Sequence, residues 1–255
     1  MNVSQIYAFL SEKFPPETAA DFDNVGLLVG DPKQEVHRCV VALDCTDSAI
    51  DYAVRQQAQL IVTHHPVIFH PIRSVTAPGL PFRLIRNGLS VVSMHTNLDT
   101  ADGGVNDVLG ETIGLTDLKK LTTPDGFSIR IGQLTRPMSS SDFAALLGKR
   151  LNTVVRYAGS KTIQTVGLCS GSGADYYDCA IAAGADAFVT AEVKHHQFLA
   201  ARQAGVPIFD AGHFETEVEI VPALCRLLTE RFPGLDCLAF QSREIEIEVC
   251  GSHGH

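Results

Sequence analysis

The stretch VVALDCTDSAIDYAVRQQAQLIVTHH, residues 40–65, sets two short apolar runs around an amphipathic one. CVVAL (39–43) reads as a buried strand. In SAIDYAVRQQ, Ala49, Ile50, Ala53 and Val54 fall on one side of a 3.6-residue repeat, which predicts a helix with Thr46 or Asp47 as its cap. LIVT (60–63) is a second strand. Strand, helix and strand in this rhythm imply an α/β fold with a largely parallel sheet.

Outward from this unit the rhythm continues. Residues 89–94 read as a third strand, and TTPDGF (122–127) is turn chemistry. Beyond the turn, 127–134 reads as a strand, and Pro137 with 139–142 opens a helix running to about residue 151. Strands follow at 165–169, 187–190 and 206–210, with a helix over 174–183 closed by Gly184. TVGLCSGSGADYYDCAIAAGADAFVTAE (165–192) repeats the order of the opening stretch. Internal duplication and a chance likeness of two βαβ units both stay open. The expected division is a first α/β lobe over 1–122, a second over 123–250, and a flexible tail at 251–255. REIEIEVC (243–250) alternates Ile and Val with Glu, as a strand with one buried face and one charged face would.

Composition narrows the function classes. With 45% hydrophobic and 19% charged residues, 21 Gly and 12 Pro, the 255-residue chain is neither disordered nor fibrous. A net charge of −9 without a basic run makes it a poor partner for a phosphate backbone, so nucleic acid is not an expected partner. No apolar run approaches the roughly 18 residues of a membrane span. The start MNVSQIYAFLSEKF lacks a signal-peptide block, which points to the cytoplasm. Seven cysteines, never spaced CxxC, fit reduced thiols better than a disulfide framework or a zinc–thiolate site.

Three clusters carry chemistry, each just past a predicted strand. Thr63-His64-His65-Pro66 points its adjacent histidines to opposite sides if extended, so two neighbouring metals could take one each; a solvated loop is the alternative. His95-Thr96-Asn97-Leu98-Asp99 offers Asp99 as a hard oxygen ligand, with Asp102 and Asp107 as rivals and His95 as a ligand neighbour or a buried hydrogen-bonded ring. In Gly212-His213-Phe214-Glu215-Thr216-Glu217, His213 and Glu217 share a face if the segment is helical. Alternatively Thr216 caps a helix through Leu224, Leu227 and Leu228, with Glu217 at its positive end. Taken together, histidines and carboxylates without Cys suit Zn, Mn, Fe or Co. The set exceeds one closed tetrahedral site and suits two metals about 3.5–4 Å apart.

HHPVIF, HTNLD with GGVND after it, and GHFETE, in this order, resemble the Nif-three-like dinuclear-metal family, whose bacterial members are often labelled GTP cyclohydrolase I type 2 homologues. DFDNVGLLVG, LDCTDSAIDYA, the GSG at 171–173 and GADAFVTAEVKHH extend the resemblance over about residues 3–249. The resemblance implies metal ligands at His64, His65, Asp99, His213 and Glu217, with Glu217 as the bridge. It also implies two divalent metal ions per chain, two interleaved α/β lobes, the short form of the family, and a homo-hexameric ring of dimers. Two departures stand out. Phe22 replaces the usual Trp, and Thr190-Ala191-Glu192 replaces TGE, which would strain Ala191 if that position needs positive φ.

The resulting expectation is a metal-dependent hydrolase acting on a nucleotide or other small phosphorylated heterocycle, with two metals activating water. Glu192 and His95 are the candidate catalytic residues for moving the proton, with Lys194, His195 and His196 as further cavity candidates. The competing expectation is a metal-buffering or regulatory ring with the same ligands. Gly171-Ser172-Gly173 reads either as a phosphate-holding loop or as a tight turn. His37 and His70 have no supporting context, and His253 and His255 belong to the tail.

Overall fold

In the computed structural model, which describes residues 1–242 of the chain, the stretch 40–65 folds as strand, helix and strand. The first sheet contains β1 (Gly26–Val29), β2 (Arg38–Ala42), β3 (Leu60–Thr63), β4 (Ser90–Ser93) and, from far along the chain, β11 (Asp236–Phe240). Its order is β1-β4-β3-β2-β11, parallel throughout except for the edge strand β1. Along the central strands, successive side chains enter opposite cores, as the two-residue repeat of a strand requires. Cys39, Val41, Val62 and Val92 pack with Ile6 and Leu10 of α1 (Val3–Lys13) and with Leu224 and Leu228 of α10 (Ile220–Arg231). Val40, Ile61 and Val91 pack with Ile50 and Ala53 of α2 (Asp47–Arg55) and Leu84 of α3 (Leu80–Arg86). Coverage of both faces is why these strands read as unbroken apolar runs.

Thr46 rather than Asp47 caps α2, its hydroxyl accepting the Ala49 N–H at 3.1 Å. The buried stripe of α2 is Ala49, Ile50 and Ala53. Val54, expected on that face, is exposed, because one further residue turns the side chain about 100° away.

Two short helices follow β4: α4 (Thr96–Thr100) and α5 (Val105–Thr112). The second sheet then begins, with β5 (Thr116–Thr122), β6 (Ser128–Ser139), β7 (Arg156–Ala158), β8 (Thr162–Leu168), β9 (Ala187–Thr190) and β10 (Ile208–Asp210) in the order β5-β6-β8-β9-β10-β7. β8, β9 and β10 are parallel, but β5, β6 and β7 pair antiparallel. This sheet is therefore mixed where a mostly parallel one was expected: the turn at 123–127 joins β5 straight to β6, and a parallel pair would need a much longer crossover. β6 also runs on through Pro137 to Ser139. Its register with β8 breaks between Gln133 and Met138, so the missing proline N–H interrupts no ladder bond there. α6 (Ser140–Leu151) begins only after this, capped by Ser139. α6 covers one face through Phe143 and Leu147. α7 (Tyr177–Ala182) and α8 (His195–Ala204) cover the other through Tyr177, Ala180 and Ala201.

The lobes are interleaved. β5 falls within residues 1–122 yet lies in the second sheet, and β11 falls beyond them yet lies in the first. Each sheet holds three parallel strands in sequence order joined by helices, β2-β3-β4 and β8-β9-β10. The carboxyl ends of both sets carry the residues of the three clusters, where open parallel sheets bind ligands. The expected strand at 243–250 and the tail at 251–255 lie outside the described residues. Among the described residues no helix is long and apolar enough to cross a membrane.

Candidate metal centre

β3 delivers His64 and His65, β4 delivers His95, α4 carries Asp99, and the short helix α9 (His213–Glu217), just past β10, carries His213 and Glu217. The structure brings all six together. Glu217 is 4% exposed and sits at the middle of the group. Its Oε1 lies 3.8 Å from His64 Nε2, and its Oε2 lies 3.1 Å from His65 Nε2 and 3.2 Å from His213 Nε2. Asp99 Oδ1 is 3.5 Å from His64 Nε2. Two donors on one tetrahedral ion at 2.0–2.2 Å stand about 3.4 Å apart, so this spacing suits a shared cation. Three overlapping sets form: His64, Asp99 and Glu217; His65, His213 and Glu217; and His64, His65 and His95.

The ring orientations make the same point. His64 Nδ1 donates to the Met94 carbonyl at 3.0 Å. His65 Nδ1 meets Asp44 at 2.7 Å, His95 Nδ1 meets Asp23 at 2.8 Å, and His213 Nδ1 meets Glu192 at 2.8 Å. Each outward partner fixes the tautomer and leaves the Nε2 lone pair for a ligand, the usual dress of a metal-binding histidine. His64 Nε2 and Glu217 Oε2 are buried without a hydrogen-bond partner. Buried polar atoms are seldom left so, and a cation between them would satisfy both. The residues present therefore fit a metal.

Without one, the group balances its own charge. Burial opposes the charged forms, but the Asp44 and Glu217 carboxylates outweigh it and carry His65 up to about 10. Glu217 and Glu192 likewise carry His213 up to about 9. The three imidazoles in turn hold Glu217 well below the usual carboxylate range against the effect of burial. Burial pushes Asp99 up, opposed by His64. Protons thus occupy His65 and His213 at neutral pH, and a metal must displace them. Metal uptake at pH 7 is expected to release about two protons per chain, measurable as dependence of the binding heat on buffer ionisation. For the metal-free protein the sign runs the other way. Raised histidine pKa values stabilise it fully below about pH 6.5, and that contribution fades as pH climbs through 9 to 10. The rise in Tm on adding metal should therefore grow from pH 6 to pH 9; a constant increment would contradict this proton balance.

The sequence rivals of Asp99 resolve by position. Asp107 pairs with Arg130, and Asp102 is exposed. Thr216 does not cap the following helix; its hydroxyl donates back to the Gly212 and His213 carbonyls and accepts the Gly171 N–H. The GSG loop is a tight turn against the metal centre. The N–H groups of Ser170, Gly171 and Gly173 are already bonded, to Asn106, Thr216 and Thr190, which leaves little for a phosphate. Gly171 has φ +57, and a Cβ there would lie 2.2 Å from Glu217 Oε1. Gly171→Ala should push that carboxylate aside and lower metal content several-fold in a folded protein, read by elemental analysis beside circular dichroism.

Ala191 escapes the strain that its departure from TGE suggested. The left-handed residue is Glu192, at φ 54. His195 and His196 are exposed at the start of α8, with Lys194 beside them, and none of the three lines the cavity. His37 faces Glu35 at the surface, and His70 packs on Phe69. Sequence reasoning missed Asp23 and Asp44. Asp44 sits just past β2, the same strand-end position that exposed the other clusters, and was the one detectable signal.

A cavity of about 820 Å³ opens onto His95, Asp99, His213 and Glu217. Its walls come from the segment 17–22, the turn at 125–127 and the GSG loop, with Phe127 stacked on Tyr176 at 5.0 Å. Phe22, in place of the bulkier Trp, is exposed at its rim and touches Phe69 rather than the metal centre.

Residues 1–246 match the sequence pattern of Duf34/NIF3 (NGG1p interacting factor 3). A "GTP cyclohydrolase 1 type 2 homolog" from Streptomyces coelicolor is 36% identical, over 84% of this chain and 81% of that one. Another of the same description from Clostridium perfringens is 32% identical, over 91% and 92%. The crystal structure of a hypothetical protein from Staphylococcus aureus superposes with a TM-score of 0.92 at 27% identity, covering 97% of this chain and 99% of that one.

Proposed function

The chain belongs to the Duf34/NIF3 family, and from that premise we propose that it is a dinuclear metal-dependent hydrolase of a nucleotide or other small phosphorylated heterocycle, working in the cytoplasm as a homo-hexameric ring of dimers. The observation that carries this reading is the divided Glu217 carboxylate, one oxygen toward His64 and the other toward His65 and His213. His64, Asp99 and Glu217 would hold one divalent ion, and His65, His213 and Glu217 the other, whether Zn, Fe, Mn or Co. Such a pair, when bound, supplies Lewis acidity and acidifies water.

The chain's own residues do the rest. Asp44 and Glu192 keep the His65 and His213 rings turned inward by holding their Nδ1 protons. Glu192 stands outside the cavity lining, so it is better assigned as a positioning residue than as the proton carrier expected from sequence. His95 lines the cavity, and Asp23 fixes its Nδ1; its Nε2 is the group placed to take up and return a proton. Asp23 is itself held by Thr96 as well as His95, which against burial lowers it to about 2, so it stays a carboxylate throughout the working range.

The test is turnover by metal-reconstituted protein on a panel of nucleoside phosphates and phosphorylated heterocycles. His95→Ala should keep its metal and lose at least about 100-fold in kcat. Full metal with no turnover on any member, in the wild type and His95→Ala alike, would favour the second reading, a metal-buffering or regulatory ring. That reading draws on the same ligand set.

A further inference from the structure

Outside the metal centre, Cys39 on β2 and Cys237 on β11 are direct partners in a parallel pair. Their Sγ atoms lie 2.9 Å apart, and both are free thiols. The residues one step earlier, Arg38 and Asp236, are also register partners and form an ion pair at 2.6 Å that pins this alignment. Neighbouring strands stand about 4.7–4.9 Å apart, inside the span of about 4.4–6.8 Å between Cα atoms that a disulfide bridges. Cys39 is fully buried, and Cys237 is half-buried.

We propose that Cys39 and Cys237 form a reversible dithiol–disulfide site whose oxidant is a low-molecular-weight disulfide. The more accessible Cys237, as thiolate, attacks one sulfur of RS–SR; that S–S bond breaks, and the leaving thiolate takes up a proton as RSH. Cys39 then attacks the Cys237 sulfur of the mixed disulfide, its proton passing to the second small thiolate as that departs. Two cysteine thiols are oxidised, and one small disulfide is reduced to two thiols. Hydrogen bonding to Cys39 and Thr229 holds Cys237 below the usual thiol range, which suits it as the attacking partner; its hydrogen bond to Cys237 and burial push Cys39 up. Cys225 on α10, pushed up to about 12 by burial, is the unreactive neighbour.

The bond would fasten β11 to β2 across 198 residues of chain. The experiment treats the full chain with oxidised glutathione and measures free thiols, intact mass and Tm. The expected result is a mass lower by two hydrogens, a peptide pair joining Cys39 to Cys237, and a Tm raised by roughly 5–10 °C, all reversed by dithiothreitol. Cys237→Ser should abolish each change, and Cys39→Ser should stop at a mixed disulfide on Cys237. A wild type that keeps both thiols under conditions that oxidise a model dithiol would overturn the proposal. So would a linkage joining other cysteines.

Discussion

Glu217→Ala should give a folded chain that takes up almost no metal. The carboxylate belongs to two of the three overlapping ligand sets, so one substitution takes a donor from both at once. Outer partners of metal ligands already matter by 10–100-fold in affinity, and a shared inner ligand should exceed that. On the proposed dinuclear reading, metal content by elemental analysis should fall from about two ions per chain to a small fraction of one. Glu217→Gln separates charge from shape. It keeps the volume beside Gly171 but removes the negative charge that the histidines face, and it should also come out nearly empty. His37→Ala, altered at an exposed surface position, should load fully. Normal loading of both Glu217 variants would mean that the shared carboxylate is not what assembles the site.

Arg130→Leu should be the most destabilising single change away from the metal ligands. Arg130 lies on β6 and is 1% exposed. Its guanidinium donates to both oxygens of Asp107 on α5, to the Ala101 carbonyl at 2.7 Å and to the Ile129 carbonyl at 3.3 Å. It thereby binds the second sheet to the α4–α5 corner just behind Asp99. Removing it leaves the Ala101 carbonyl unpaired in the interior and the partly exposed Asp107 carboxylate held only by the Gly103 N–H, a loss of about 2–3 kcal/mol. Arg130→Lys should recover little, because an ammonium cannot reproduce the forked contact. Arg130→Met combined with Asp107→Leu should recover most of the loss, because a buried pair replaced on both sides leaves no orphan charge. Urea unfolding of the three variants decides the matter: equal stability of the single and double variants would show that the stranded carboxylate is not the cause.

Local signals explain what the sequence disclosed. The β2–α2–β3 unit is written in a period that residues a few positions apart enforce, and His64, His65, His95, Asp99, His213 and Glu217 stand where strands stop. What stayed hidden depends on contacts between distant segments. Asp23 reaches His95 across 72 positions, and its surroundings in DFDN look like an ordinary loop. β5, of seven residues, and β7, of three, are mostly exposed strands whose existence rests on the partners beside them rather than on an apolar period of their own. Pro137 reads as a helix start because local chemistry cannot show that the neighbouring strand has already slipped register there. Val54 reads as buried because a helical repeat gives the direction of a face but not its width.

The parallel pairing of β11 with β2 bears on the order in which the molecule is assembled. Among the described residues, the second sheet draws all its strands from one continuous stretch, 116–210, whereas the first lacks the parallel strand β11 and the α10 cover of one face until residues beyond 219 arrive. During synthesis the amino-terminal half must therefore wait, partly uncovered, while the later lobe emerges and forms. Contacts of such long sequence separation slow folding and lengthen the exposure of apolar strands. In refolding, the 116–210 sheet should gain protection from hydrogen exchange first, and β2 should gain it only together with β11.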